Sequence, residues 1–190
     1  MQLHAETHSN NDFLKGWYIN DTSLCDSLVD YFENSKHKYE GKIGTTGNIN
    51  KDIKDSTDCV LQDEGLTMSY LGELTSVVNQ YIELFPFVNY YAPWTVEEQI
   101  TIQKYEPNQA YHGWHTERGT ANNNRHMVFM TYLNDVALGG ETEFLHQQIK
   151  VKPSKGLTLL WPADWTFTHR GCPAVNETKY IITGWFNYTE

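Results

Sequence analysis

The stretch HMVFMTYLNDVALGGETEFL, residues 126–145, holds two short β-type runs, His126 to Leu133 and Glu141 to Leu145, on either side of a Gly139-Gly140 turn. Runs of this length, rich in Val, Phe, Thr and Tyr and closed by turn residues, read as strands rather than helices. The same rhythm continues outward over the second half of the chain. Further runs at Gln99 to Tyr105, Ile149 to Val151, Leu157 to Trp161 and Tyr180 to Tyr188 are punctuated by Glu106-Pro107-Asn108, Asn122-Asn123-Asn124, Pro153-Ser154-Lys155-Gly156 and Gly171-Cys172-Pro173. Many short strands at this spacing predict a barrel or jelly roll.

Upstream of residue 95 the period changes. Leu24, Leu28, Tyr31 and Phe32 follow the cap-competent Asp21, Thr22 and Ser23, and a second set runs from Tyr70 through Leu71, Leu74, Val77, Val78, Tyr81, Ile82 and Phe85 to Pro86. Both patterns predict amphipathic helices that bury one face. Between them Glu40 to Ser56 is rich in Gly, Lys, Asp and Asn. It reads as a long loop, of the kind that carries function or moves, and leads into a short strand around Asp58 to Gln62. No repeat or low-complexity segment interrupts the chain. The expectation is one domain over residues 1–190, mainly β with N-terminal helices: helical support and loop over 1–94, and a β core over 95–190.

Composition narrows the function classes. The 190 residues include six Trp, twelve Tyr and eight Phe, which excludes disorder over the whole length, and carry a formal charge of −10. That charge argues against nonspecific binding to nucleic acid, whose phosphates require a basic surface. No run approaches the roughly 18 apolar residues of a membrane span, and Met1 to Asn11 has no apolar core of a signal peptide. Cys25, Cys59 and Cys172 form no CxxC pair, as expected of a reducing compartment. These features together predict a cytoplasmic protein without a membrane partner.

Two segments carry chemistry. In extended chain alternate side chains share a face, so His115 and Glu117 of His115-Thr116-Glu117 point one way and Thr116 the other. With the distant His169 as a third ligand, the set can occupy one face of an octahedron and leave the rest open, the arrangement of non-haem Fe(II) oxygenases; taken alone, the triplet reads equally as a surface histidine beside a solvated carboxylate. Ten residues further on, Lys179 heads an apolar strand on which Thr183 and Trp185 share its face. A lysine pointing into a barrel is costly without an anion beside it, and a dicarboxylate cosubstrate would supply one.

Taken in order, Tyr105-Glu-Pro-Asn-Gln-Ala-Tyr111, His115-Thr-Glu117, Tyr132-Leu-Asn-Asp135, Gly139-Gly-Glu-Thr-Glu-Phe144, Val151-Lys-Pro-Ser-Lys-Gly156, His169-Arg-Gly-Cys-Pro173 and Lys179 resemble the catalytic core of the prolyl 4-hydroxylase-like Fe(II)/2-oxoglutarate oxygenases. The resemblance covers Tyr105 to Trp185 and implies a double-stranded β-helix. It makes His115, Glu117 and His169 the iron ligands and Lys179 the partner of the distal carboxylate of 2-oxoglutarate. Tyr132 would help hold that carboxylate, with Thr183 and Tyr105 as further helpers. The departure is Glu117, where the family usually has Asp; charge and oxygen ligation survive one extra methylene, so a metal-competent site of altered geometry is expected.

The resemblance further implies an Fe(II)- and 2-oxoglutarate-dependent dioxygenase that hydroxylates an unactivated C–H bond, first of all on a prolyl residue of a protein or peptide. A free amino acid or other small molecule is the alternative substrate, and a non-enzymatic jelly-roll binding module the alternative class. His112 is expected to face away from the metal, and His126 and His146 have no partner spacing. Trp114, Trp161, Trp165 and Trp185 are expected as barrel packing and pocket walls, with Trp185 near the cosubstrate. Arg118, Arg125 and Arg170 are expected to be solvated.

Overall fold

The structure, a computed structural model, describes residues 13–44 and 47–189; the Met1 to Asn11 segment lies outside them. In chain order the elements are β1 (Lys15–Tyr18), α1 (Ser23–Asn34), β2 (Tyr39–Glu40), β3 (Thr57–Val60), α2 (Glu64–Leu84), β4 (Trp94–Thr95), β5 (Thr101–Tyr105), β6 (Arg125–Tyr132), β7 (Thr142–Phe144), β8 (Ile149–Val151), β9 (Leu157–Pro162), β10 (His169–Gly171) and β11 (Lys179–Tyr188). The larger sheet runs β1-β9-β6-β11-β5-β3-β2, with β4 on the far end of β11, and the smaller one β10-β7-β8. All pairings are antiparallel. This is the two-sheet jelly roll that the strand rhythm predicts.

The larger sheet is buried on both faces, and strand alternation divides it into two cores. Met127 and Phe129 of β6, Leu160 of β9 and Ile182 and Phe186 of β11 pack against Leu24, Leu28 and Phe32 of α1 and Tyr70, Leu74, Val77 and Tyr81 of α2. Their neighbours in sequence, Val128, Met130, Leu159, Trp161 and Ile181, turn the other way and meet Phe144 and Val151 of the smaller sheet. Each fully buried Leu or Phe contributes about 1.5–3 kcal/mol, so the helices are held chiefly by this packing rather than by propensity. One polar chain crosses the helix side: the Tyr70 hydroxyl lies 2.8 Å from Thr131 Oγ1, which lies 2.7 Å from Thr158 Oγ1.

Both predicted helices form, but α2 begins six residues before Tyr70. Asp63 caps it, its side chain accepting the Leu66 N–H at 2.8 Å, and the first turns are mostly exposed, so they carry no apolar period. Residues assigned to helical support also supply strands. β1 pairs with β9 at one edge of the sheet, and β3, found at Thr57–Val60 rather than Asp58 to Gln62, pairs with β5. Strand β10 also escapes the sequence pattern, because His169, Arg170 and Gly171 have no apolar alternation and are extended by pairing with β7. The loop after β2 is tied down: Asp55 N–H donates to the Ala110 carbonyl and Gly113 N–H to that of Ile53, while Lys54 and Asp58 form a buried ion pair at 2.6 Å.

At Gly184 the helix-side core lies directly against the backbone of β11. A Cβ built there would stand 2.4 Å from Cζ of Phe129, a ring with no solvent exposure to retreat into. Gly184→Ala is therefore expected to destabilise the protein by about 1–3 kcal/mol, read as a lower urea midpoint with an unchanged slope.

Candidate metal centre

The two sheets enclose a cavity of about 460 Å³ lined from the larger sheet by Met130, Ile181, Thr183 and Trp185 and from the smaller by Thr142 and His169. Lys42, Gly44 and Lys54 bring the loop after β2 to its wall.

His115 belongs to no strand. Its extended backbone is paired at one point only, by a reciprocal bridge in which His115 N–H donates to the His169 carbonyl and His169 N–H to that of His115, both at 3.0 Å. This bridge sets two distant histidines side by side, with ring centroids 4.3 Å apart. Thr116 turns to the opposite side, its hydroxyl donating to the Ala163 carbonyl at 3.1 Å. Glu117 returns to the histidines, Oε1 lying 3.5 Å from His115 Nε2 and 3.4 Å from His169 Nε2. One ligand atom from each of the three residues falls within 4.8 Å of the others.

The tautomers follow from the backbone. His115 Nδ1 lies 3.0 Å from the Gly113 carbonyl and His169 Nδ1 2.9 Å from that of Phe167. A carbonyl can only accept, so each Nδ1 carries a proton, and each ring turns its Nε2 toward Glu117 Oε1. Burial, then the neighbouring His169, pushes the His115 pKa down. Burial opposes ionisation of Glu117, but its contacts with the two histidines outweigh it and hold the carboxyl well below the usual range. Tyr111 stacks on His115 at 3.7 Å, and Trp161 stands edge-on to His169. The other oxygen of Glu117 is engaged separately: Trp185 Nε1 donates to Oε2 at 3.0 Å and Arg125 Nη1 lies 3.4 Å away.

Lys179 points into the cavity from β11 and is 3 % exposed. Its ammonium donates to the Gly140 carbonyl at 3.0 Å and lies 4.8 Å from the Tyr105 ring centroid. Among the described residues no carboxylate lies within ion-pair distance of it, and burial pushes its pKa down to about 8. Gly139 and Gly140 turn the chain beside it with φ of +79° and +76°. A Cβ on Gly139 would come within 2.4 Å of the Pro173 carbonyl oxygen, so this close turn needs glycine.

The remaining expected site residues are placed differently from one another. Thr183 lines the cavity, its hydroxyl donating to the Phe129 carbonyl, and Tyr105 lines it with its hydroxyl on Gln103 Oε1. Tyr132 does not line the cavity: it is fully buried between the sheets, its hydroxyl 2.6 Å from Thr142 Oγ1 and 3.1 Å from the Val151 carbonyl. Trp161 and Trp185 are cavity walls as expected, but Trp114 and Trp165 are 39 % and 63 % exposed. Nor are the three arginines merely solvated. Arg118 pairs with Asp164, Arg125 with Glu98, and Arg170 with Glu143 while covering the Trp114 ring.

Residues 100–187 match the family model described as the 2OG-Fe(II) oxygenase superfamily. The protein of Arabidopsis thaliana described as "Probable prolyl 4-hydroxylase 9" is 31% identical over 46% of this chain and 40% of its own length; prolyl 4-hydroxylase subunit alpha-2 of Gallus gallus is 30% identical over 34% of this chain and 13% of its own. The chain thus spans well under half the length of these curated relatives. Among solved structures, a prolyl hydroxylase of Trichoplax adhaerens in complex with a hypoxia inducible factor peptide fragment superposes with a TM-score of 0.75 at 17% identity, covering 94% of this chain and 85% of that one. The viral collagen prolyl hydroxylase of Paramecium Bursaria Chlorella virus-1, as its 2OG complex, gives 0.66 at 16% identity over 95% and 98%. These likenesses establish the double-stranded β-helix fold. The segment that matches the 2OG-Fe(II) oxygenase superfamily model contains all three converging residues together with Lys179, and over part of its length the chain is similar to prolyl 4-hydroxylases.

Proposed function

We propose that the protein is an Fe(II)- and 2-oxoglutarate-dependent hydroxylase acting on a prolyl residue of a peptide or protein. The observation that carries this reading is the pairing of two features in one cavity: three electron-rich ligand atoms converging on one point, and a buried ammonium without a carboxylate partner.

The ligand atoms fit a divalent metal. Two imidazole Nε2 atoms and a carboxylate oxygen brought this close need a cation or a proton among them, and a divalent metal meets that need with all three. Two neutral histidines and one carboxylate form the ligand set of non-haem Fe(II) oxygenases. His115, Glu117 and His169 would hold the iron, and the hydrogen bonds from each Nδ1 to a backbone carbonyl fix ring orientation and raise ligand basicity. Bound there with 2-oxoglutarate and O2, the iron would supply the oxidising power that inserts oxygen into a C–H bond, with succinate and CO2 as the other products.

The chain's own residues bind and orient the reactants. Lys179 anchors the distal carboxylate of 2-oxoglutarate by a charge-assisted hydrogen bond in a site shielded from water, and Tyr105 and Thr183 line the same cavity. Tyr132, expected to help hold that carboxylate, hydrogen-bonds Thr142 of the same wall. The peptide substrate is supported by the peptide bound to the Trichoplax relative.

His115→Ala or His169→Ala is expected to abolish the visible charge-transfer absorption that appears on anaerobic titration of the protein with Fe(II) and 2-oxoglutarate. Removing a partner outside the ligand set costs roughly 10–100-fold in metal affinity, and removing a ligand should cost more. Undiminished absorption in either variant would sink the ligand assignment.

The second expectation concerns pH. The free protein holds Lys179 at a pKa of about 8, below its ordinary 10.5. An anion binds the charged form, so 2-oxoglutarate affinity should weaken as pH rises through about 8. Lys179→Arg, whose charge persists throughout this range, should bind more weakly at pH 7 but show no such decline. Calorimetric titration of the Mn(II)-loaded protein between pH 7 and 9 checks both slopes; parallel slopes would remove Lys179 from the anion site.

A further inference from the structure

Glu117 reaches the histidines with one oxygen and a clamp with the other, and the clamp extends beyond the cavity. Arg125 Nη1 donates to the Glu117 carbonyl at 3.0 Å and lies 3.4 Å from Oε2; its guanidinium carbon sits 3.5 Å over the Trp185 ring, whose N–H donates to Oε2. Behind Arg125 stands Glu98, paired with it through both carboxylate oxygens, Nε to Oε1 at 2.7 Å. Asn187 Nδ2 donates to the same Oε1 at 3.0 Å.

A break in strand register builds this arrangement. On β11 and β6 the pairs run Trp185 with Val128 and Phe186 with Met127, and then Asn187 with Arg125, so His126 is the extra residue of a bulge. Regular alternation would set His126 beside Val128 on the cavity side. The bulge instead sends His126 outward onto Tyr188 and the Val88 carbonyl and brings Arg125 inward against Trp185. Bulges re-aim side chains in this way beside functional sites.

Resting on the metal-dependent reading above, we propose that Glu98 is a positioning residue for the metal centre: through Arg125 and Trp185 it fixes the outer oxygen of Glu117 and so aims the inner one at the histidines. A glutamate has one more rotatable bond than an aspartate and more rotamer freedom to lose when it is ordered. Glu98 and Asn187 hold the arginine, the arginine and the indole hold Oε2, and Oε1 is left pointing at the two Nε2 atoms.

Co(II) titration of the full chain, followed by d–d absorption, reads this without turnover. Glu98→Gln keeps the side chain's shape and removes its charge, and should raise the Co(II) dissociation constant about tenfold or more. Glu143→Gln, which breaks the Arg170 pair on the smaller sheet, should leave it unchanged. In a Glu117→Asp background the shorter carboxylate withdraws from Trp185 and Arg125, and the Glu98→Gln change should then cost less than about threefold, the difference being the coupling between the two sites. Trp185→Phe removes the indole N–H together with part of the ring beneath Arg125, and reports on the same oxygen if Glu98→Gln does not fold. Equal losses in both backgrounds would make the Glu98 pair a support of the fold only, and unchanged affinity in Glu98→Gln and Trp185→Phe would likewise overturn the proposal. A parent protein that takes up no Co(II) would overturn the proposed function itself, and this inference with it.

Discussion

Strand β11 lies between β6 and β5 and serves two environments at once. Ile182 and Phe186 face the helices, whereas Lys179, Ile181, Thr183 and Trp185 face the second sheet and the cavity between. A slip of one residue would exchange these faces, placing Lys179 against α1 and α2 and Ile182 in the cavity. The helices thus do more than cover the sheet. By demanding apolar side chains on one face of β11, they fix which side chains reach the other, and the packing against α1 and α2 sets the position of the cavity's buried cation.

The reciprocal backbone bridge between His115 and His169 is the second constraint, and it depends on the first. β10 is extended only because it pairs with β7, and β7 is placed by packing of Phe144 against the inner face of the larger sheet. Two histidines 54 positions apart in sequence therefore come to share a pair of hydrogen bonds through a series of contacts that begins at the sheet. Once they are paired, the Gly113 and Phe167 carbonyls engage each Nδ1, and each Nε2 is left facing Glu117.

The sequence made some of this legible, for physical reasons that can be traced residue by residue. The runs at His126 to Leu133 and Leu157 to Trp161 are apolar but for His126, Thr131 and Thr158, because both faces of the larger sheet are buried. Their strand character therefore shows in composition and length. The His115 and Glu117 pair was readable because period two is a property of extended chain, whether or not a strand forms around it. By contrast β1 and β10 owe their conformation to partners far away in sequence, and Lys15-Gly-Trp-Tyr18 or His169-Arg-Gly171 have no pattern of their own. Tyr132 shows the limit of reading by face. Alternation places it correctly between the sheets, but only the structure reveals that Thr142 and the Val151 carbonyl already engage its hydroxyl. Arg125 escaped for the opposite reason: alternation assigns its neighbour His126 to the inner face, and a bulge is a property of two strands together.

The charges around the cavity explain how an acidic protein can present an anion site. The chain carries −10 overall, yet Lys54, Arg125, Arg170 and Lys179 all line this one cavity. Lys54 is paired with Asp58, Arg125 with Glu98 and Arg170 with Glu143, so their fields are largely offset at short range. Among the described residues Lys179 meets the Gly140 carbonyl and the face of Tyr105 and has no carboxylate at ion-pair distance, so its burial is not offset in that way. An uncompensated buried charge is destabilising in the free protein, and an anion that binds there recovers part of that cost as affinity. A carboxylate joined by a short spacer to a second metal-seeking group, the shape of the proposed ligand, would meet the ammonium with one end and the His115, Glu117 and His169 cluster with the other.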